Sequence, residues 1–246
     1  MKEVTIRIRR SEPSVSSDVH YDEFKVPVGE GMVVLDAVHY IQQNMDQTLA
    51  VRWNCKAARC GSCSAEINGR PKLMCKTRID SVGDKITINP MKAYPVVKDL
   101  VTDVSHNYEI AKKIPPFTPK EGLSAPFKMF QIDVTRSKEF RTCIECFLCQ
   151  DVCHVIREHH SNYFGPKHMV KVAALDMHPI DAIDRSELLH GEGGVGYCDI
   201  TKCCQNVCPE DIRITDNAII PEKERIVDHA YDPIGILIKK VKNRRW

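Results

Sequence analysis

Cys143-Ile144-Glu145-Cys146-Phe147-Leu148-Cys149-Gln150-Asp151-Val152-Cys153 is a C-x2-C-x2-C-x3-C run, the spacing that wraps a cubane iron–sulfur cluster. Its short loops let three successive thiolates reach different irons of one cluster while the fourth points away. Where a chain holds two cubanes that fourth thiolate ligates the other one, so a single run calls for a second. Cys198, Cys204 and Cys208-Pro209 supply it in the same register, with Thr201 where the second cysteine of a complete run would stand. Counting through the register pairs Cys143, Cys146 and Cys149 with the remote Cys208 around [4Fe-4S]. Cys153, Cys198 and Cys204 remain for the other site, and three thiolates suit [3Fe-4S]. Cys203 is out of step with the repeat and reads as a buried thiol, because adjacent residues rarely both face one cluster.

A third cysteine group lies upstream. Cys55, Cys60 and Cys63, followed at a distance by Cys75, have the plant-type C-x4-C-x2-C spacing that holds [2Fe-2S]. Gly61, between two of these ligands, suits a tight loop whose amides turn toward cluster sulfurs. Three such motifs in one chain make coincidence a poor account. Zinc is a weaker reading, since three cysteines at successive x2 spacings crowd one tetrahedral ion. Disulfides would need an oxidising compartment, yet Met-Lys-Glu-Val-Thr-Ile opens the chain without a secretory pattern, so metal-bound thiolates in a reducing compartment are expected.

The 246 residues carry a formal net charge of +2, which gives no reason to expect a nucleic-acid partner. No apolar run approaches the roughly 20 residues that cross a bilayer. The cluster types divide the chain into residues 1–105, a [2Fe-2S] ferredoxin-type domain, and residues 106–246, a domain for two cubane-type clusters. In the first, residues 4–9 alternate apolar and polar, residues 21–28 offer a partner strand after a polar Ser11-to-Ser17 loop, and residues 33–45 repeat at helical spacing. Asn68-Gly69, between segments 64–67 and 71–75, signals a type I′ hairpin, and residues 85–88 make a further strand. The expected class is α+β: an N-terminal β-grasp, plant-type ferredoxin domain and a C-terminal all-helical, bacterial-ferredoxin-like domain. Val97, Leu100, Val101, Val104 and Tyr108 predict a linking helix that stops at Pro115-Pro116, and helices are expected over 170–177 and 179–189.

Taken together, the plant-type loop, Asn68-Gly69, Thr77-Arg78-Ile79-Asp80, Val96-Val97-Lys98-Asp99-Leu100-Val101 and both cubane runs resemble the iron–sulfur subunits of succinate dehydrogenase and fumarate reductase over nearly the whole chain. The resemblance implies a chain of clusters that passes single electrons between a flavoprotein subunit carrying FAD, at a succinate or fumarate site, and membrane quinone. It also implies an anchor subunit that holds the quinone, and a peripheral position on the cytoplasmic face of the inner membrane. The [2Fe-2S] group would face the flavin and the [3Fe-4S] group the quinone. An iron–sulfur subunit serving another flavoprotein, of the heterodisulfide reductase kind, is the alternative. Common members of the family follow the fourth cysteine of the first cubane run with proline, serine and a tryptophan pair, and place histidine after the first cysteine of the last run. Here His154 and Arg157 follow Cys153, and Asp199 follows Cys198, so the chain resembles a divergent subclass with His154, Arg157 and Asp199 as quinone-side candidates. His159 and His160 read as a solvent-facing decoration, and the basic 239–246 segment as a solvated tail. Gly191-Glu192-Gly193-Gly194-Val195-Gly196 matches the letters of a dinucleotide fingerprint but runs straight into Cys198, which argues against that use.

Overall fold

Alternation along β1 (Lys2–Ser11) puts Val4, Ile6 and Ile8 on one buried face while Arg7 faces outward. The computed structural model describes residues 2–11, 19–158 and 162–233. The polar loop beyond Ser11, His159, His160 and the basic 239–246 segment lie outside the described residues. β1 pairs antiparallel with β2 (Val19–Val28) and parallel with β5 (Lys85–Asn89). β3 (Ser64–Ile67) and β4 (Arg70–Leu73) form a hairpin whose first strand lies against β5, giving the order β2-β1-β5-β3-β4. Asn68 and Gly69 have φ of 50° and 75°, the two positive values a type I′ turn needs. Helix α1 (Val34–Asn44) starts where the Asp36 carboxylate accepts the Val33 N–H at 3.1 Å, and it buries Val34, Leu35, Val38 and Ile41 in the same core as the sheet. This is the mixed sheet plus helix expected for the first half.

The linking helix is a correction. Segment 96–102 forms a two-stranded ribbon, β6 (Val96–Lys98) with β7 (Val101–Thr102), and only α2 (Ser105–Lys113) is helical. Asp99 decides the outcome. It has a φ of 46° and is buried, and its carboxylate accepts hydrogen bonds from Arg10 Nε at 3.1 Å, Ser11 N at 3.0 Å and Ala50 N at 2.8 Å. A helix would leave that carboxylate buried without donors, which costs more than the lost helical turns.

The second half is helical: α3 (Gln131–Lys138), α4 (Leu148–Asp151), α5 (His154–Glu158), α6 (Pro166–Asp176), α7 (Ser186–His190) and α8 (Ile220–Tyr231), the last continuing a wide helical turn over Ile214–Ile219. α6 begins four residues ahead of the expected 170 because Pro166 presets the first turn. Of the expected 179–189 helix only α7 forms. Asp181 Oδ1 accepts from Thr118 N and Ile183 N, and fully buried Arg185 donates to the Pro115 and Pro116 carbonyls and pairs with Asp176 and Asp181. Those bonds hold the segment as turns against the proline connector. Phe140, Phe147, Met169, Leu189 and Ile219 build the second core, which also takes Met91, Ala93 and Tyr94, whereas Leu148 crosses into the first.

Candidate metal centres

The first cysteine loop runs from α1 to β3. Lys56, Ala58 and Gly61 sit in the left-handed region, and left-handed residues interspersed in a loop turn backbone N–H groups inward as an anion-binding nest. Ala57 N and Arg59 N donate to Cys55 Sγ at 3.4 and 3.3 Å, and Cys55 N to Cys60 Sγ at 3.5 Å. Burial pushes the Cys63 thiol up to about 12, reinforced by neighbouring Cys75 and Cys60. Cys55, Cys60, Cys63 and Cys75 are thus gathered at one site.

Cys143, Cys146, Cys149 and Cys208 line one cavity with Phe147 and Lys167, with an empty volume of about 370 Å³. Glu145 and Phe147, between the cysteines, again take left-handed φ. Burial pushes the Cys146 thiol to about 12 and Cys149 well above its ordinary value. Thiols packed this way ionise only against metal cations, so loading the site couples to proton release. Gly61 joins the first loop to this one: a Cβ there would lie 2.5 Å from Cys146 Cα. Ser64 Oγ, within 2.8 Å of Gly61 O and 2.9 Å of Cys146 O, bridges the same two loops.

Cys153, Cys198 and Cys204 line a further cavity, of about 260 Å³ empty volume, with Tyr163, Thr201 and Thr215. Ile200 and Lys202 repeat the left-handed signature. Cys203, which the register sets apart, also lines this space, and Thr201 Oγ1 donates to its Sγ at 3.5 Å. His154 and Asp199 line it as well, paired at 2.8 Å between Nε2 and Oδ2 and each about half exposed. Burial opposes the charged His154, but hydrogen bonding to Cys203 and the Asp199 carboxylate together raise its pKa.

Arg157, the third quinone-side candidate, stands apart from these two. It does not line the cavity; it donates to Glu66 Oε1 at 2.6 Å and to the Asp151 carbonyl. Glu66 is fully buried in β3, and a buried carboxylate draws the nearest guanidinium inward. The signal for this was a lone acidic residue in the otherwise apolar Ala65-Glu66-Ile67. Sequence reasoning also missed Tyr163, whose hydroxyl has no nitrogen or oxygen partner.

The glycine string follows helix α7, not a strand. Gly194, with φ of 59°, is packed so that a Cβ would meet the Asn162 carbonyl oxygen at 1.7 Å, and the string serves as a close-packing surface. No cysteine is disulfide-bonded. Among the described residues no three His, Cys, Asp or Glu side chains converge on a single ion. Thiols ringing cavities, with left-handed nests between them, fit polynuclear clusters.

A family model described as a 2Fe-2S iron–sulfur cluster binding domain matches residues 5–109, and one described as a 4Fe-4S dicluster domain matches residues 139–212. A chain of the Mycobacterium smegmatis Sdh1 complex in the apo form is similar in fold, with a TM-score of 0.90 and 52% identity, covering 94% of this chain and 98% of that one. The succinate dehydrogenase iron–sulfur subunit of Bacillus subtilis is 31% identical over 86% of this chain and 88% of its own length. An uncharacterised iron–sulfur protein of Methanococcus maripaludis is 33% identical over 94% of this chain, which spans 45% of that longer protein. Fumarate reductase iron–sulfur subunits of several bacteria match over comparable spans.

Proposed function

This chain belongs to the family of iron–sulfur subunits of succinate dehydrogenase and fumarate reductase, and on that premise we propose that it passes electrons singly, by way of [2Fe-2S], [4Fe-4S] and [3Fe-4S] clusters, between a flavoprotein subunit and membrane quinone. It is the electron-carrying subunit of an oxidoreductase, and it has the domains of an iron–sulfur protein. The proposed ligands are Cys55, Cys60, Cys63 and Cys75 for [2Fe-2S]; Cys143, Cys146, Cys149 and Cys208 for [4Fe-4S]; and Cys153, Cys198 and Cys204 for [3Fe-4S]. Bound clusters supply one-electron carriers whose potentials respond to ligation, hydrogen bonding and burial.

The observation that carries this reading is the contact of Gly61 with Cys146, which sets the first cysteine loop against the second as a series of adjacent centres requires. In the first two loops backbone N–H groups point at the sulfurs, Ala57 and Arg59 at Cys55, Glu145 at Cys143 and Leu148 at Cys146. His154, bonded to Asp199 and Cys203 at the third cavity, and Asp199 itself are the quinone-side candidates there. We place FAD and the succinate or fumarate site in the flavoprotein, and the quinone at an anchor subunit that keeps this chain peripheral on the cytoplasmic face of the inner membrane. No helix among the described residues is long and apolar enough to cross a membrane.

Metal analysis and co-purification test the reading. Iron with acid-labile sulfide, recovered together with a flavoprotein that chaotrope strips from membranes along with this chain, is the expected result. Zinc without sulfide would overturn it.

A further inference from the structure

Tyr163 stands at the third cavity with its hydroxyl hydrogen-bonded to the Cys198 thiol. The side chain is 1% exposed, and its Oη has no hydrogen-bonding nitrogen or oxygen among the described residues. A buried hydroxyl needs a partner, and here a cavity thiol, Cys198, supplies it. Tyr163 lines the space ringed by Cys153, Cys198 and Cys204, and those three thiols are the charges that face it.

Its position is fixed from both sides. Gly194 packs against the Asn162 carbonyl so closely that a Cβ would lie 3.2 Å from Tyr163 Cα, and Phe164 N donates to Gly193 O at 3.1 Å. At the other flank Gly165 has φ of 89° and packs on the buried Gln150 amide, which itself donates to the Phe164 carbonyl at 3.0 Å. The glycine string therefore finds a use: it clamps the segment that delivers one phenol to one cavity.

We propose that the Tyr163 hydroxyl donates a hydrogen bond to the sulfur shell of the cluster held by Cys153, Cys198 and Cys204, and so raises that cluster's reduction potential. The inference rests on the cluster assignment proposed above. Reduction adds one electron, supplied by the neighbouring centre, and makes the sulfurs more negative, so a donor stabilises the reduced state more than the oxidised one. The phenol keeps its proton throughout. Tyr163 is a tuning residue and touches no substrate.

The test is Tyr163→Phe in the membrane-bound complex, with each cluster titrated against potential by electron paramagnetic resonance. The expected result is a roughly tenfold shift of the third cluster's equilibrium toward the oxidised form, about 59 mV for one electron. The other two midpoints should stay in place, and a deuteron coupling that appears after exchange into D2O should be lost from the third signal. An unchanged midpoint with the coupling intact would overturn the proposal. If the wild-type complex lacked a three-iron signal altogether, the cluster assignment would fail instead. Should Tyr163→Phe lose the cluster, 3-fluorotyrosine at position 163 decides: the more acidic phenol must raise the midpoint, and no rise refutes the donor.

Discussion

Thr201 occupies the vertex where the last cysteine run departs from a complete one, and it lines the same cavity as Cys153, Cys198 and Cys204. Thr201→Cys should therefore supply a fourth thiolate and convert [3Fe-4S] toward [4Fe-4S]. The oxidised-state resonance of the three-iron centre should fade, and its potential should fall because the extra thiolate adds negative charge. Cys203→Ser is the counterpart, since that thiol borders the cavity out of register and its loss should leave the cluster intact. If Cys203→Ser abolishes the cluster while Thr201→Cys changes nothing, Cys203 is the ligand. A separate expectation attaches to Asp199. Asp199→Asn weakens the hold on His154 and should raise the KM for quinone several-fold while cluster content stays the same. The cysteine runs were legible at this scale because spacing within each is local, and the register between runs put Cys208 beside the first cavity and Cys153 beside the other. Arg157 and Tyr163 were not, because each takes its meaning from remote residues: Glu66 lies 91 positions from Arg157, and Cys198 and Cys204 reach Tyr163 only through the fold.

Elements show the same division between local and distant causes. β1, α1 and the type I′ hairpin follow from patterns a few residues long, and they form where the sequence puts them. The 96–102 ribbon does not, because Asp99 answers to Arg10, 89 residues away. Gly61 is a second such position: its left-handed φ was readable as a tight loop, its contact with Cys146 was not. Gly61→Ala should cost about 1–3 kcal/mol in backbone strain and push the first loop off the second. Both clusters should still assemble, but the magnetic interaction between them should weaken in resonance spectra of the fully reduced protein.

Helices α6 and α8 meet at a buried charge group in which Asp176 pairs with Arg185 and Arg225, and Glu222 stands 3.4 Å from Arg225. Burial, with the Asp176 charge adding to it, raises Glu222 to about 7. An unfolded glutamate titrates near 4.3, so between those values the native state binds more protons than the unfolded one, and stability falls as pH rises through the window. Glu222→Gln should stabilise the protein by on the order of 2 kcal/mol at pH 8 and change little at pH 5. The temperature at which the visible cluster absorption bleaches would report the difference.

Across the whole molecule the two halves are joined by a few polar bonds and a shared stretch of core. Arg157 of α5 crosses to Glu66 of β3 at 2.6 Å, flanked within each half by Asp151, 3.7 Å from Arg157, and by Lys92, 2.9 Å from the other Glu66 oxygen. Lys76 Nζ donates to the Pro209 carbonyl at 2.6 Å, and Leu148 of the second half is buried in the first core. Removing one partner of a buried pair leaves an uncompensated charge and typically costs about 3–5 kcal/mol. Lys92 remains in place, so Arg157→Ala should sit near the lower end, about 3 kcal/mol. Glu66→Gln in the same background should recover most of that loss, because the charge that needed Arg157 is gone. A merely local defect at α5 would show no such recovery. The spectroscopic companion is more telling: Arg157→Ala should loosen the Gly61–Cys146 contact and weaken the magnetic coupling between the first two centres, leaving the third signal untouched. A variant that bleaches at the wild-type temperature with coupling unchanged would mean that the Arg157–Glu66 pair does not hold the two halves in register.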